Sequence, residues 1–190
     1  MKRFLILFLS LFLLFTYAAF SESEDPLLIK VNAAKITPLK KEAFSWLDSN
    51  TAQLFDLNDK IWSFAEKAME EFESSELLAS YLEKMEFAVT RGVAGMPTAF
   101  VAVYGSGEPV IGILAEYDAL PGLSQEAVHY KKPSKQREPG HGCGHNIFGA
   151  ASVASAAAMK EIMEKHHLSG TIKLFGCPAE ETIVGKVFMA

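Results

Sequence analysis

Two residues that can ligate a metal ion, Cys143 and His145, stand two positions apart with Gly144 between them. In an extended loop such side chains point the same way, and glycine lets the backbone approach a ligand closely. A thiolate with an imidazole suits zinc, and suits manganese or nickel less well. An isolated Cys or His more often packs in a core, but this pair directly precedes a long Ala-rich segment of helical character. The pattern favours metal binding, and it leaves His141 without a role.

Acidic residues follow two other apolar runs. Glu180 and Glu181 are adjacent, and neighbouring side chains on an extended segment diverge. One carboxylate can therefore ligate an ion while the other faces a water molecule as general base. Asp118, which follows Glu116, can ligate an ion or orient a histidine ligand. The alternative is that these residues are solvated strand ends.

The segments that carry these residues predict an α/β fold. Apolar runs at Thr98–Tyr104, Pro109–Ala115 and Thr171–Gly176 predict strands, with a hairpin-type turn at 105–107 between the first two. The spacing over Ile147–His167 predicts a helix, so the second and third strands form a βαβ unit. Ligands in such sheets bind beyond the carboxyl ends of the strands. The candidate residues are therefore expected to converge at one edge.

The rest of the chain predicts helices and one long loop. Helical periodicity runs over Lys40–Phe72, and a second helix is expected at Ser75–Met85. Asp118–Gly140 is irregular, and a compact domain seldom keeps so long a loop without a use for it. Val184–Ala190 is expected to begin another helix.

The N-terminus has the organisation of a secretory signal peptide. Lys2 and Arg3 precede the apolar run Phe4–Phe15, and small residues lead to an expected cleavage after Phe20 or Ser21. The run is short for the alternative, an uncleaved membrane anchor. We expect a signal peptide at 1–21, a linker at 22–39, a domain at 40–190, and a secreted or periplasmic location without a stable membrane anchor.

Charge and cysteine content narrow the function further. Loss of Lys2 and Arg3 takes the formal charge from −5 to −7, and an acidic chain without a basic cluster argues against nucleic-acid binding. Cys143 and Cys177 are the two cysteines, and in an exported protein a disulfide between them is the alternative to metal binding.

With these residues assembled, the chain resembles the M20 family of metal-dependent peptidases and amidohydrolases. It is most similar to the branch of the aminobenzoyl-glutamate utilisation protein B type and the N-acyl amino acid amidohydrolases. The resemblance covers Lys40 to the C-terminus and is carried by Arg91–Phe100, Gly112–Gln125, His141–Asn146 and Pro178–Glu181. It implies a catalytic domain with a mixed sheet flanked by helices.

The resemblance also implies a role for each position. Cys143, His145 and Glu181 would ligate metal, Glu180 would be the general base, and Asp118 would be the supporting aspartate. Two divalent ions, zinc or alternatively manganese, would serve hydrolysis of a small N-acyl or N-aroyl amino acid such as p-aminobenzoyl-glutamate.

The chain departs from the family pattern in two residues and in length. Glu116 stands where many members have a histidine ligand, and Asn146 stands where many have Asp, as in the aminobenzoyl-glutamate type. Later histidine ligands and a dimerisation domain, through which full-length relatives would form homodimers, have no counterpart before Ala190. We therefore expect an incomplete fragment, truncated before that domain.

Two rival functions stay open. A cysteine hydrolase would use Cys143 as the nucleophile, although that gives Glu180 and Glu181 no role and places His145 too near in sequence for a base. A truncated exported binding protein without catalytic activity is the other.

Overall fold

The computed structural model describes residues 36–190, which open with three helices. These are α1 (Pro38–Ser49), α2 (Thr51–Phe64) and α3 (Phe72–Lys84). The helical character expected over 40–72 is confirmed in part, because the helix breaks at Asn50 and ends at Phe64. Ala65 ends α2 in the left-handed conformation, with φ 46° and its N–H bonded to the Ile61 carbonyl. The predicted signal peptide, and the predicted linker up to residue 35, lie outside the described residues.

One mixed sheet of four strands forms the centre. The strands are β1 (Ala88–Arg91), β2 (Phe100–Ser106), β3 (Val110–Glu116) and β4 (Gly170–Cys177), in the spatial order β1-β2-β4-β3. β2 is antiparallel to β1 and to β4, whereas β3 is parallel to β4. The predicted α/β class, with a mixed sheet flanked by helices, is confirmed.

The connection between β2 and β3 is not a hairpin, so that prediction was wrong. β4 lies between the two strands and pairs with both. Gly105 and Gly107 do turn the chain with positive φ, but a turn signal shows only that the chain reverses. It does not show which strand becomes the neighbour.

The crossover between β3 and β4 is helix α4 (His145–Lys165), which confirms the predicted βαβ unit. Small buried residues such as Ala150, Ala154 and Ala157 allow α4 to pack closely. Gly149 shows how closely, since a Cβ there would lie 2.7 Å from the Glu116 carbonyl oxygen. The helix therefore begins against the carboxyl end of β3.

The core lies between the sheet and α2, α3 and α4. Its members with no exposed surface include the following residues: Ile61, Leu78, Leu82, Phe100, Tyr117, Val153, Ile172 and Leu174. Within residues 36–190, no helix is both long and apolar enough to span a membrane.

The parallel register sets up the site, because Glu116 pairs with Cys177 and both strands end together. Beyond β4 come the short helix α5 (Glu180–Ile183) and a 3₁₀ turn at Gly185–Met189, where a longer helix was expected.

Candidate metal centre

His145 lies at the middle of the candidate site. It is the first residue of α4 and is 5% exposed. Its Nδ1 is 2.9 Å from Asp118 Oδ1, and its Nε2 is 3.2 Å from Glu116 Oε2. Glu180 and Glu181 approach the same ring, each with a carboxylate oxygen 3.9 Å from a ring nitrogen. The predicted convergence of Asp118, His145, Glu180 and Glu181 is therefore present.

Asp118 holds two parts of the site together. Its Oδ1 faces His145 Nδ1, and its Oδ2 accepts the Glu181 N–H at 2.9 Å. Burial would raise the pKa of Asp118, but these hydrogen bonds outweigh burial and the pKa is lowered. For His145 burial would lower the pKa, and the Asp118 carboxylate reverses that effect and raises the pKa. Asp118 thus has the geometry of a residue that orients a histidine ligand.

Two groups of potential ligand atoms share His145. In the Cys143 group, formed by Cys143, His145 and Glu181, one ligand atom of each residue lies within 4.8 Å of the others. The Glu116 group, formed by Glu116, His145 and Glu180, meets the same criterion. The sequence left Glu116 without a role, and its place in the second group became visible only with the register of β3 and β4.

The donors of the Cys143 group fit a divalent ion. Glu181 Oε1 is buried and has no hydrogen-bond partner, which is costly for an ionised carboxylate unless a cation is near. Sulfur, nitrogen and carboxylate oxygen are the usual ligands of zinc. Cys143 and Cys177 are both free thiols, so the structure has no disulfide between them.

Cys143 itself is exposed, and its surroundings disfavour the thiolate in the absence of a cation. Desolvation raises the pKa of Cys143, and the negative charges of Glu181, Glu180 and Glu116 add to that effect. An activated cysteine nucleophile needs the opposite surroundings.

Local backbone geometry differs from the extended segments expected for both ligand pairs. Gly144 has φ 82°, and His145 is already helical, yet Cys143 and His145 stay in one group. Glu180 and Glu181 begin α5 and nonetheless reach different groups. The expected divergence of the two carboxylates is present, although a helix start produces it.

A buried carboxylate that sequence reasoning missed fixes the turn before α5. Glu71 is fully buried; its Oε1 accepts the Ala179 N–H and its Oε2 accepts the Thr98 hydroxyl, both at 2.8 Å. Ala179 takes the left-handed conformation, with φ 56°, immediately before Glu180. Burial raises the pKa of Glu71. Its only sequence signal was an acidic residue in a stretch expected to be helical.

His141 and Asn146 lie outside both groups. His141 Nε2 is 3.0 Å from the Ile61 carbonyl oxygen, and its Nδ1 is buried without a partner. Asn146 donates from Nδ2 to Asn58 Oδ1 at 2.8 Å and so ties the start of α4 to α2.

Comparison with known proteins places this site in a family. Residues 112–190 match the Peptidase family M20/M25/M40. One of the subunits of the p-aminobenzoyl-glutamate hydrolase of Escherichia coli is 46% identical over 144 residues, which cover 75% of this chain and 30% of that protein. The Xaa-Arg dipeptidase of Mus musculus is 32% identical over 168 residues, covering 82% of this chain and 35% of the relative.

Solved structures share the fold. A dinuclear metal-binding peptidase of the M20 family from Bacillus subtilis superposes with a TM-score of 0.63 at 24% identity, over 74% of this chain and 39% of that one. The chain spans about a third of the length of the curated relatives that it matches. Through residues 112–190, the chain belongs to the M20/M25/M40 family of peptidases.

Proposed function

We propose that this chain carries the metal-binding part of an amidohydrolase that cleaves N-acyl or N-aroyl amino acids such as p-aminobenzoyl-glutamate. The observation that carries the proposal is one buried imidazole, His145, shared by two groups of ligand atoms. The 46% identity with the p-aminobenzoyl-glutamate hydrolase of Escherichia coli supports the substrate class.

Each residue has a part in this function. Cys143, His145 and Glu181 would hold one ion, and Glu116 with the opposite edge of His145 would face a second. Divalent ions, with zinc favoured by the thiolate, supply polarisation of an amide carbonyl and make water a stronger acid. Asp118 orients the imidazole and, through the Glu181 N–H, the residue that follows Glu180.

Glu180 is suited to accept a proton from water and pass it to the leaving amine. Its side chain is 29% exposed, compared with 18% for Glu181 and 10% for Glu116, so it is the most accessible of the three carboxylates. A general base needs access to water and to the substrate, and proton transfer of this kind contributes roughly 10²- to 10⁴-fold to a rate.

Zinc binding and hydrolysis of p-aminobenzoyl-glutamate by the purified chain test the proposal. We expect zinc to bind in calorimetry, and we expect any release of p-aminobenzoate to stop with a chelator and in Glu180→Gln. Glu126→Gln, in the exposed loop, is the matched control. A chain that binds no zinc would refute the proposal and leave the non-catalytic alternative. Activity that survives the chelator but not iodoacetamide would favour the cysteine hydrolase. Full activity of the chain would contradict the expectation that it is incomplete.

A further inference from the structure

The Glu116 group contains a positive charge of its own, the ammonium of Lys186. Lys186 Nζ lies 2.5 Å from Glu116 Oε1 and 3.2 Å from Glu180 Oε1, so it joins the two carboxylates of the group. The side chain of Glu116 is 10% exposed and that of Lys186 is 29% exposed. Solvent and salt therefore screen this interaction less than they screen a surface ion pair.

The backbone around Lys186 is fixed by close packing. The Val184 N–H bonds to the Ala179 carbonyl at 2.9 Å, which ties this turn to the residue before Glu180. At Gly185 a Cβ would lie 2.1 Å from the Pro178 carbonyl oxygen, so the turn packs closer to the end of β4 than a side chain would permit. The ammonium is thus held at the site by the fold, unlike that of a lysine on a free surface segment.

The Cys143 group has no comparable charge. Among residues 36–190, no lysine or arginine forms an ion pair with Glu181, and Glu181 Oε1 has no hydrogen-bond partner. The two groups share His145 and contain similar acidic ligands, but only one of them is already neutralised.

We propose that Lys186 is an internal counter-cation of the Glu116 group, which a divalent ion must displace in order to bind there. The ammonium and a divalent ion are attracted to the same two carboxylates and repel each other, so they compete. Ions then bind in order, first at the Cys143 group and later, more weakly, at the Glu116 group. This inference rests on the proposed function, because it requires that both groups receive ions.

The test is a metal titration of the full chain and of Lys186→Met at one pH, with Zn²⁺ followed by calorimetry and Co²⁺ by absorption. Met keeps most of the aliphatic stem and removes the charge. Lys186→Arg keeps the charge, and Lys173→Met removes an equal charge from an exposed position on β4. Circular dichroism and the melting temperature without metal show whether each variant is folded.

We expect the second ion to bind Lys186→Met at least about 10-fold more tightly than the parent chain, an effect of the size seen for residues that surround metal ligands. Lys186→Arg and Lys173→Met should resemble the parent. The first Co²⁺ equivalent should give the thiolate-to-cobalt absorption of Cys143 in every variant. A chain that takes up a second ion only in Lys186→Met would also support the proposal.

Equal or weaker second binding in folded Lys186→Met would overturn the inference and leave the proposed function standing. The same tightening in Lys173→Met would overturn it too, because net charge would then be the cause. Absence of ion binding in both the parent and Lys186→Met would refute the proposed function and this inference with it.

Discussion

The Cys143 group and the Glu116 group lie on either side of one imidazole, and they are neutralised in different ways. In the first, Glu181 Oε1 is buried without a hydrogen-bond partner beside an exposed thiol. In the second, Lys186 Nζ lies within 3.2 Å of both acidic residues. Buried negative charge needs a partner in either case. In the Glu116 group the fold supplies that partner itself.

This difference separates two properties that a list of ligands would merge. Geometry qualifies both groups as metal sites, since the ligand atoms in each lie within 4.8 Å of one another. Electrostatics ranks them, because only the Glu116 group has to give up a cation. The substitutions below test this ranking, from the largest expected effect to the smallest.

Removal of the shared ring should affect both groups together. In His145→Ala we expect zinc affinity to fall by more than about 100-fold at either group, beyond the effect of residues that only surround ligands. Calorimetry measures the loss. His166→Ala removes a histidine that pairs with Glu42, away from the site, and should bind zinc normally. Retained affinity in His145→Ala would show that the ring is not a ligand.

A substitution at Cys143 should affect one group only. Cys143→Ser replaces a thiolate by a poorer zinc ligand, and we expect the first ion to bind roughly 10- to 100-fold more weakly. Binding at the Glu116 group should change little. The matched control is Cys177→Ala, since Cys177 is 1% exposed and lies outside both groups. Equal weakening by the two cysteine variants would contradict the assignment.

Glu71 should support both groups, because the turn it holds leads to Glu180 and Glu181. Glu71→Ala leaves the Ala179 N–H and the Thr98 hydroxyl without their acceptor, so we expect a loss of about 1–3 kcal/mol in the free energy of unfolding. Both ion affinities should fall with it. Glu71→Gln keeps an acceptor for Ala179 and should restore most of the affinity.

The pH dependence of stability distinguishes the carboxylate from its amide. Burial raises the folded-state pKa of Glu71 above its ordinary value of 4.5. The stability from this group is therefore fully present below that value and is lost as the pH rises through the raised pKa. Denaturant unfolding across this interval should show the loss in the parent and not in Glu71→Gln. Glu66→Ala, which removes a carboxylate that caps α3, should lower stability without changing ion affinity.

The smallest effect is expected where α4 meets β3. A Cβ in Gly149→Ala would press on the Glu116 carbonyl oxygen, and overpacking costs about 1–3 kcal/mol. Better helix propensity offsets about 1 kcal/mol of that cost. We expect a net loss of about 1 kcal/mol in thermal or denaturant unfolding, with weaker binding at the Glu116 group. Gly112→Ala, whose Cβ would meet Phe175 at an ordinary 3.6 Å, should change neither.

Much of the site followed from the sequence because its residues stand at the ends of recognisable elements. The apolar runs before Asp118 and Glu180 and the Ala-rich helix after His145 were enough to predict a parallel βαβ unit. Convergence at the carboxyl edge of the sheet then follows from topology. The metal-ligating and catalytic roles of these residues stay predictions.

The rest depended on contacts between distant segments, which local patterns do not contain. Glu71 reaches Ala179 across 108 residues, and Lys186 reaches Glu116 across 70. The hairpin prediction failed for the same reason, since β4, far along the chain, lies between β2 and β3. The four residues of β1 are too few to give a periodic signal.

The parallel pairing of β3 with β4 also sets the order in which the site can come into being. Glu116 leaves the ribosome long before Glu180, and the two cannot meet until the α4 crossover has closed a long loop at an entropic cost. Each group takes a ligand from the last segment to dock, so neither exists in a chain whose sheet is unfinished. Dissolved metal would then reward the completed sheet by mass action without guiding its assembly.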